Sequence, residues 1–141
     1  MTVELNPYLA FRNEARQAME FYHSVLGGEL RVATFADFGM SDVEQDRDKV
    51  VHAMLRTDDG LVVMASDTPS GIEWSPRGGD SIALSGDDES RLRGFWEGLA
   101  AGGQIRELLA TAPWGDTFGM LTDRFGVNWM VSISAAGPGA G

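Results

Sequence analysis

Internal repetition is the feature of this chain that most restricts its fold. Leu26-Gly27-Gly28-Glu29-Leu30 is answered by Ala101-Gly102-Gly103-Gln104-Ile105, and Gly60-Leu61-Val62-Val63-Met64-Ala65-Ser66 is answered by Gly126-Val127-Asn128-Trp129-Met130-Val131-Ser132. Each copy reads as a short apolar strand, an amphipathic helix closed by a Gly-Gly pair, and three further strands, which is a βαβββ unit. One such unit cannot bury a two-faced sheet, whereas two together enclose a cavity. The repetition therefore predicts an α+β fold in which tandem βαβββ repeats form a curved mixed sheet around a cup, with a small-molecule site inside it.

At 141 residues, 43% of them hydrophobic, the chain suffices for one compact domain and is too short for two independent ones. The reading is a single domain over residues 1–133. Repeat one covers about 4–67, a linker rich in Pro and Gly covers 68–79, and repeat two covers about 80–133. Residues 134–141, built from Ala, Gly, Ser and Pro, read as a disordered tail. Ala15, Ala18, Met19, Tyr22, Val25 and Leu26 fall at helical spacing behind Asn13, which is a candidate cap, and Gly27 suits a positive φ at the helix end. Strands are expected at about 5–11, 29–36, 50–57 and 61–66, and again at 81–85, 104–109, 116–122 and 127–133. Between the later strands, Leu92, Phe95, Trp96 and Leu99 mark the buried stripe of the second helix. The repeat offset is 75 at the glycine pair (102 minus 27) and 66 at the last strand (130 minus 64), so the first copy carries an insertion. It falls in the acidic stretch between Asp37 and Lys49, which reads as a mobile surface loop and a candidate lid, and which lacks the glycine and final glutamate of a calcium loop.

With no cysteine the chain has neither disulfides nor thiolate chemistry, and no apolar run approaches the length of a membrane span. The expected location is cytoplasmic. A net charge of −10 sets the chain against nucleic acid and is compatible with a cationic ligand.

Several motifs resemble a known family. Phe21-Tyr22 followed by Leu26-Gly27-Gly28, together with Asp123-Arg124-Phe125-Gly126-Val127-Asn128-Trp129, resembles the vicinal oxygen chelate superfamily, which includes glyoxalase I, extradiol dioxygenases, and bleomycin and fosfomycin resistance proteins. Asn6-Pro7-Tyr8-Leu9, His52-Ala53-Met54-Leu55, Met64-Ala65-Ser66-Asp67 and Trp114-Gly115 with Phe118-Gly119 are similar to its PhnB-like branch, often labelled demethylubiquinone methyltransferase-like. The resemblance implies a divalent metal held by His and Glu side chains from the first and last strands of each unit. Carried over to this chain, those positions fall on Pro7, Met64, Ser81 and Met130. None of the four is an imidazole or a carboxylate, so no metal and no cofactor is expected there. The methyltransferase label finds no support, because both Gly-Gly pairs close a helix and neither opens one.

Strand alternation predicts that Pro7, Leu9, Phe11, Ser81, Ala83, Asn128, Met130 and Ser132 face the cup, as do His52 and Met54. Tyr8, Ile82, Trp129 and Val131 are then expected under the helices. His52 is the histidine placed to act as a general base or ligand anchor, its other reading being a ring satisfied by neighbouring backbone. Met64 and Met130 form an adaptable thioether floor, Phe11 and Trp114 with Phe118 an aromatic wall, and Ser81 a polar contact. Asp67 reads as a turn residue, and His23 as surface packing. These residues predict a metal-independent protein binding a small aromatic or cationic molecule. The alternatives are a metal-dependent lyase, isomerase or dioxygenase of glyoxalase type, and a non-catalytic oligomerisation module. Relatives of this kind commonly pair, so a homodimer is expected.

Overall fold

The computed structural model describes residues 3–39 and 44–134, and the chain divides into two compact units, Met1–Pro76 and Arg77–Gly141. The expected tail beyond Ser134 lies outside the described residues, as does the middle of the acidic loop.

In the first unit, β1 (Tyr8–Phe11) is followed by α1 (Ala15–Leu26), β2 (Glu29–Thr34), β3 (Val50–Arg56) and β4 (Val62–Asp67). The sheet order is β1-β4-β3-β2, with β1 parallel to β4 and the other pairs antiparallel. The second unit repeats this plan. Its elements are β5 (Ile82–Gly86), α2 (Glu89–Ala100), β6 (Gln104–Thr111), β7 (Thr117–Thr122) and β8 (Asn128–Ile133). Here the order is β5-β8-β7-β6, again with a single parallel pair, β5 with β8. Two open four-stranded mixed sheets, each carrying one helix, are the fold that the tandem repeat predicts.

Alternation decides which face of each sheet is covered. In unit one, Leu9, Phe11, Ala53, Leu55, Val63 and Ala65 are buried, and α1 packs on β2, β3 and β4 through Ala15, Ala18, Met19, Tyr22 and Leu26. In unit two, Leu84, Leu121, Trp129 and Val131 are buried, and α2 packs on β5, β7 and β8 through Leu92, Phe95, Trp96 and Leu99. Burying an aliphatic or aromatic side chain of this size contributes roughly 1.5–3 kcal/mol. These stripes therefore outweigh the weak intrinsic preferences of the helices.

The helix ends show what the sequence can specify locally and what it cannot. Asp88 caps α2 by accepting from Arg91 N–H at 3.1 Å. Asn13, the expected cap of α1, makes no such bond. Asp67, distant in sequence at the end of β4, takes that place: its Oδ1 accepts from Ala15 N–H at 2.9 Å and its Oδ2 from Val50 N–H at 2.9 Å. Past α1 the chain turns at Gly27 with φ 77°, and a Cβ on Gly28 would collide with the Arg56 carbonyl oxygen. Gly103 meets the Thr122 carbonyl in the same way, so the second glycine of each repeated pair exists to let the chain pass a neighbouring strand end.

In its described parts the acidic loop folds back on itself: Ala36–Phe38 and Glu44–Asp46 form 3-10 turns, Phe35 N–H donates to Lys49 O, and Ala36 N–H donates to Arg47 O. Asp46, 2% exposed, accepts from the Ser70 hydroxyl at 2.6 Å and pairs with Lys49 at 3.2 Å, which ties this loop to the linker.

Candidate functional site

The sheet face without a helix is where apolar side chains remain half-exposed. In unit one the register aligns Tyr8 with Met64, Met64 with Met54, and Met54 with Arg31, a row that crosses all four strands. The corresponding row in unit two is Ala83, Met130, Met120 and Glu107. Two methionines thus stand side by side at the centre of each row. Met54, Met64, Met120 and Met130 are all half-buried, whereas their neighbours along the strands are buried under helices.

The β1 expectation is one residue out of phase. Phe11, proposed as a wall of the cup, is 0% exposed and lies in the core with Leu9, while Tyr8, expected under the helix, is 52% exposed on the open face. Tyr8, and not Phe11, therefore stands at the wall position. It arises because Pro7 carries its carbonyl to Met64 N–H and begins the parallel pairing, and Leu9 and Phe11 then follow the buried phase of Ala65 and Asp67. The other strands keep the expected phase. His52, Met54 and Met64 share the open face of unit one, and Ser81, Phe118 and Met130 lie in the corresponding phase of unit two.

Tyr8 and His52 form a pair on this face. Their rings stack at 5.9 Å between centroids with an interplanar angle of 28°, and the Tyr8 hydroxyl lies 3.5 Å from His52 Nδ1. At that separation the stacking contributes more than the polar contact. Trp114 is 66% exposed in the turn before β7 and meets Phe118 edge-on at 6.0 Å, so these two aromatics do come together. The two other residues weighed earlier have structural roles. Asp67 is the helix cap described above, and His23 Nε2 lies 2.9 Å from the Gly28 carbonyl, closing the end of α1.

The same holds for the conspicuous motif near the C-terminus. Asp123 Oδ1 accepts from Phe125 and Val127 N–H groups at 2.8 and 3.1 Å, and its Oδ2 accepts from Trp129 Nε1 at 2.9 Å. That carboxylate shapes the β7–β8 turn and anchors a core tryptophan. Sequence reading missed Tyr8, Arg31 and Met120. Met120 had a legible signal, since it is the hairpin partner of Met130 across the Asp123–Gly126 turn, but Tyr8 and Arg31 emerge only once register is known.

Pro7, Met64, Ser81 and Met130, onto which the resemblance carries the metal ligands, offer a pyrrolidine ring, two thioethers and a hydroxyl, and Pro7 is out of phase with Tyr8, the residue that shares a row with Met64. Among the described residues, no group of three or more His, Asp or Glu side chains is gathered to hold a metal ion. This donor set does not fit a zinc, iron, nickel or manganese centre. Nor is any helix among the described residues long and apolar enough to cross a membrane.

The Glyoxalase/Bleomycin resistance protein/Dioxygenase superfamily model matches residues 4–131. Protein PA1353 from Pseudomonas aeruginosa is 36% identical, with 94% of this chain and 98% of that one covered and a TM-score of 0.79. Protein YjdN of Escherichia coli (strain K12) is 26% identical over 140 residues, covering 92% of this chain and 94% of its own. The PhnB protein from Bacillus cereus is similar in fold, at 22% identity and a TM-score of 0.70, with 93% and 99% of the chains covered.

Proposed function

The chain belongs to the Glyoxalase/Bleomycin resistance protein/Dioxygenase superfamily, the vicinal oxygen chelate group, and on that premise we propose that it is a metal-independent binding protein for a small, largely apolar or aromatic molecule. One observation carries this reading: the half-exposed face presents Tyr8, His52, Met54 and Met64, and Met64 stands where the resemblance to the superfamily implies a metal-binding group. Thioethers are polarizable and conform to flat ligands, and an aromatic ring gains from their company. A ligand burying about 150 Å² of ring surface gains about 4 kcal/mol before the costs of association. Binding of this kind is weak unless polar groups add to it. His52 is the polar anchor in this reading, and Ser81, Phe118, Trp114 and Met130 provide the corresponding face of the second unit. The protein acts in the cytoplasm as a homodimer.

The test is a thermal-shift screen of small aromatic and heteroaromatic compounds at millimolar concentration, on wild type and on His52→Ala and Met64→Glu variants. Protection by one compound class that both substitutions weaken supports the proposal. Elemental analysis of protein purified without chelators is the second arm. A stoichiometric transition metal there would refute metal independence and favour a lyase, isomerase or dioxygenase.

A further inference from the structure

At its β2 edge the open face of unit one leads into a cavity of about 210 Å³ lined by Glu29, Arg31, Met54 and Arg56. Arg31 is the last member of the row that begins at Tyr8 and passes over Met64 and Met54. Arg56 stands one pleat along β3 from Met54, on the same face, and is paired in register with Glu29. Two guanidinium groups therefore flank the thioether nearest the edge. In a chain of net charge −10, two arginines gathered against one glutamate in the lining make this corner less acidic than the chain as a whole.

The guanidiniums are engaged in a way that leaves them exchangeable. Arg31 Nε pairs with Glu29 Oε1 at 3.0 Å and Arg56 Nη1 with Glu4 Oε1 at 3.4 Å, all four side chains being well exposed. Exposed ion pairs contribute little net stability, so an incoming carboxylate can take the place of either glutamate at small cost. The planar fork of arginine accepts a carboxylate through two parallel bonds. In unit two the matching row ends at an irregular stretch of β6, where Glu107 is the register partner of Met120 and Arg106 stands next to it in the chain.

We propose that this corner is an anion subsite, and that the ligand is a small planar acid, an aromatic or conjugated carboxylate. Its ring lies over Met54 and Met64 beside Tyr8, and its carboxylate sits between Arg31 and Arg56. Adjacent strands are about 4.8 Å apart, so one ring's length spans from the thioethers to the guanidiniums. The inference rests on the reading of this face as a ligand site, and it reverses the cationic preference suggested by net charge.

The experiment compares benzoate, benzamide and benzylamine, titrated into the full-length protein and followed by the methionine methyl NMR signals. Benzoate is expected to shift the Met54 and Met64 methyl signals and to bind at least about tenfold more tightly than benzamide, with benzylamine weakest. The double variant Arg31→Gln, Arg56→Gln should bring benzoate down to the benzamide level and leave benzamide unchanged, and Glu29→Gln should tighten benzoate. Equal binding of benzoate and benzamide, or benzoate binding indifferent to the double variant, overturns the anion subsite while the apolar ligand face stands. Failure of all three compounds to move either methyl signal overturns the inference and counts against the ligand face itself.

Discussion

At the scale of single residues, the buried carboxylates are structural. Asp67 satisfies two backbone N–H groups that belong to different elements, Ala15 at the start of α1 and Val50 at the start of β3. Asp67→Ala leaves both donors buried without an acceptor, at about 1–3 kcal/mol for each such group. Chemical denaturation should show a loss of about 2–4 kcal/mol, and Asp67→Asn, which keeps one acceptor, a smaller one. Asp46 gives a pH dependence. The Ser70 hydroxyl above all, then the Ser70 N–H and the Lys49 ammonium, hold its carboxyl below the ordinary 3.8, although burial opposes them. With the folded value depressed, its contribution is fully present above the unfolded value and is lost as pH falls through the folded one. The stability gap between wild type and Asp46→Asn should therefore be constant near neutrality and shrink below about pH 4 in urea melts run across that range. A gap that persists unchanged at pH 2 would contradict the assignment.

At the scale of elements, close approaches set which substitutions the sheets tolerate. A Cβ added at Gly119 in β7 would stand 2.7 Å from Trp96 Cη2 and 2.9 Å from Leu109 Cα, so α2 and β6 both press on this strand. Neither neighbour can yield freely, because Trp96 is a buried member of the α2 stripe and the Leu109 atom is backbone. Overpacking of this kind costs about 1–3 kcal/mol. Gly119→Ala should lower the melting temperature accordingly, whereas Gly94→Ala, on a helix position with open space around it, should not lower it at all. The irregular register of β6 also belongs at this scale. Its pairing with β7 shifts twice, between Ile105 and Glu107 and between Glu107 and Ala110, which twists a long, exposed edge strand away from regular pairing.

At the scale of the whole molecule, duplication lets one plan carry two different surfaces. Both units place a methionine pair at the centre of the open face, yet the first ends its row in Arg31 and the second in Glu107. Superfamily members often dimerise, and light scattering of the purified protein should give the mass of two chains. A monomer at micromolar concentration would remove the homodimer from the proposal.

The sequence by itself determined the repeat, the βαβββ order and the inward stripes of both helices, because hydrophobic period and glycine placement are local properties that each segment carries wherever it packs. Only tertiary structure decided the phase of β1, where four residues are too few for alternation to outvote a parallel partner, and Tyr8 replaced Phe11 on the open face. The cap of α1 likewise came from Asp67 rather than adjacent Asn13, and Arg31 and Arg56 met beside Met54 through strand pairing. Those relations join residues remote along the chain, and the free energy that fixes them comes from register and burial, which no local pattern encodes.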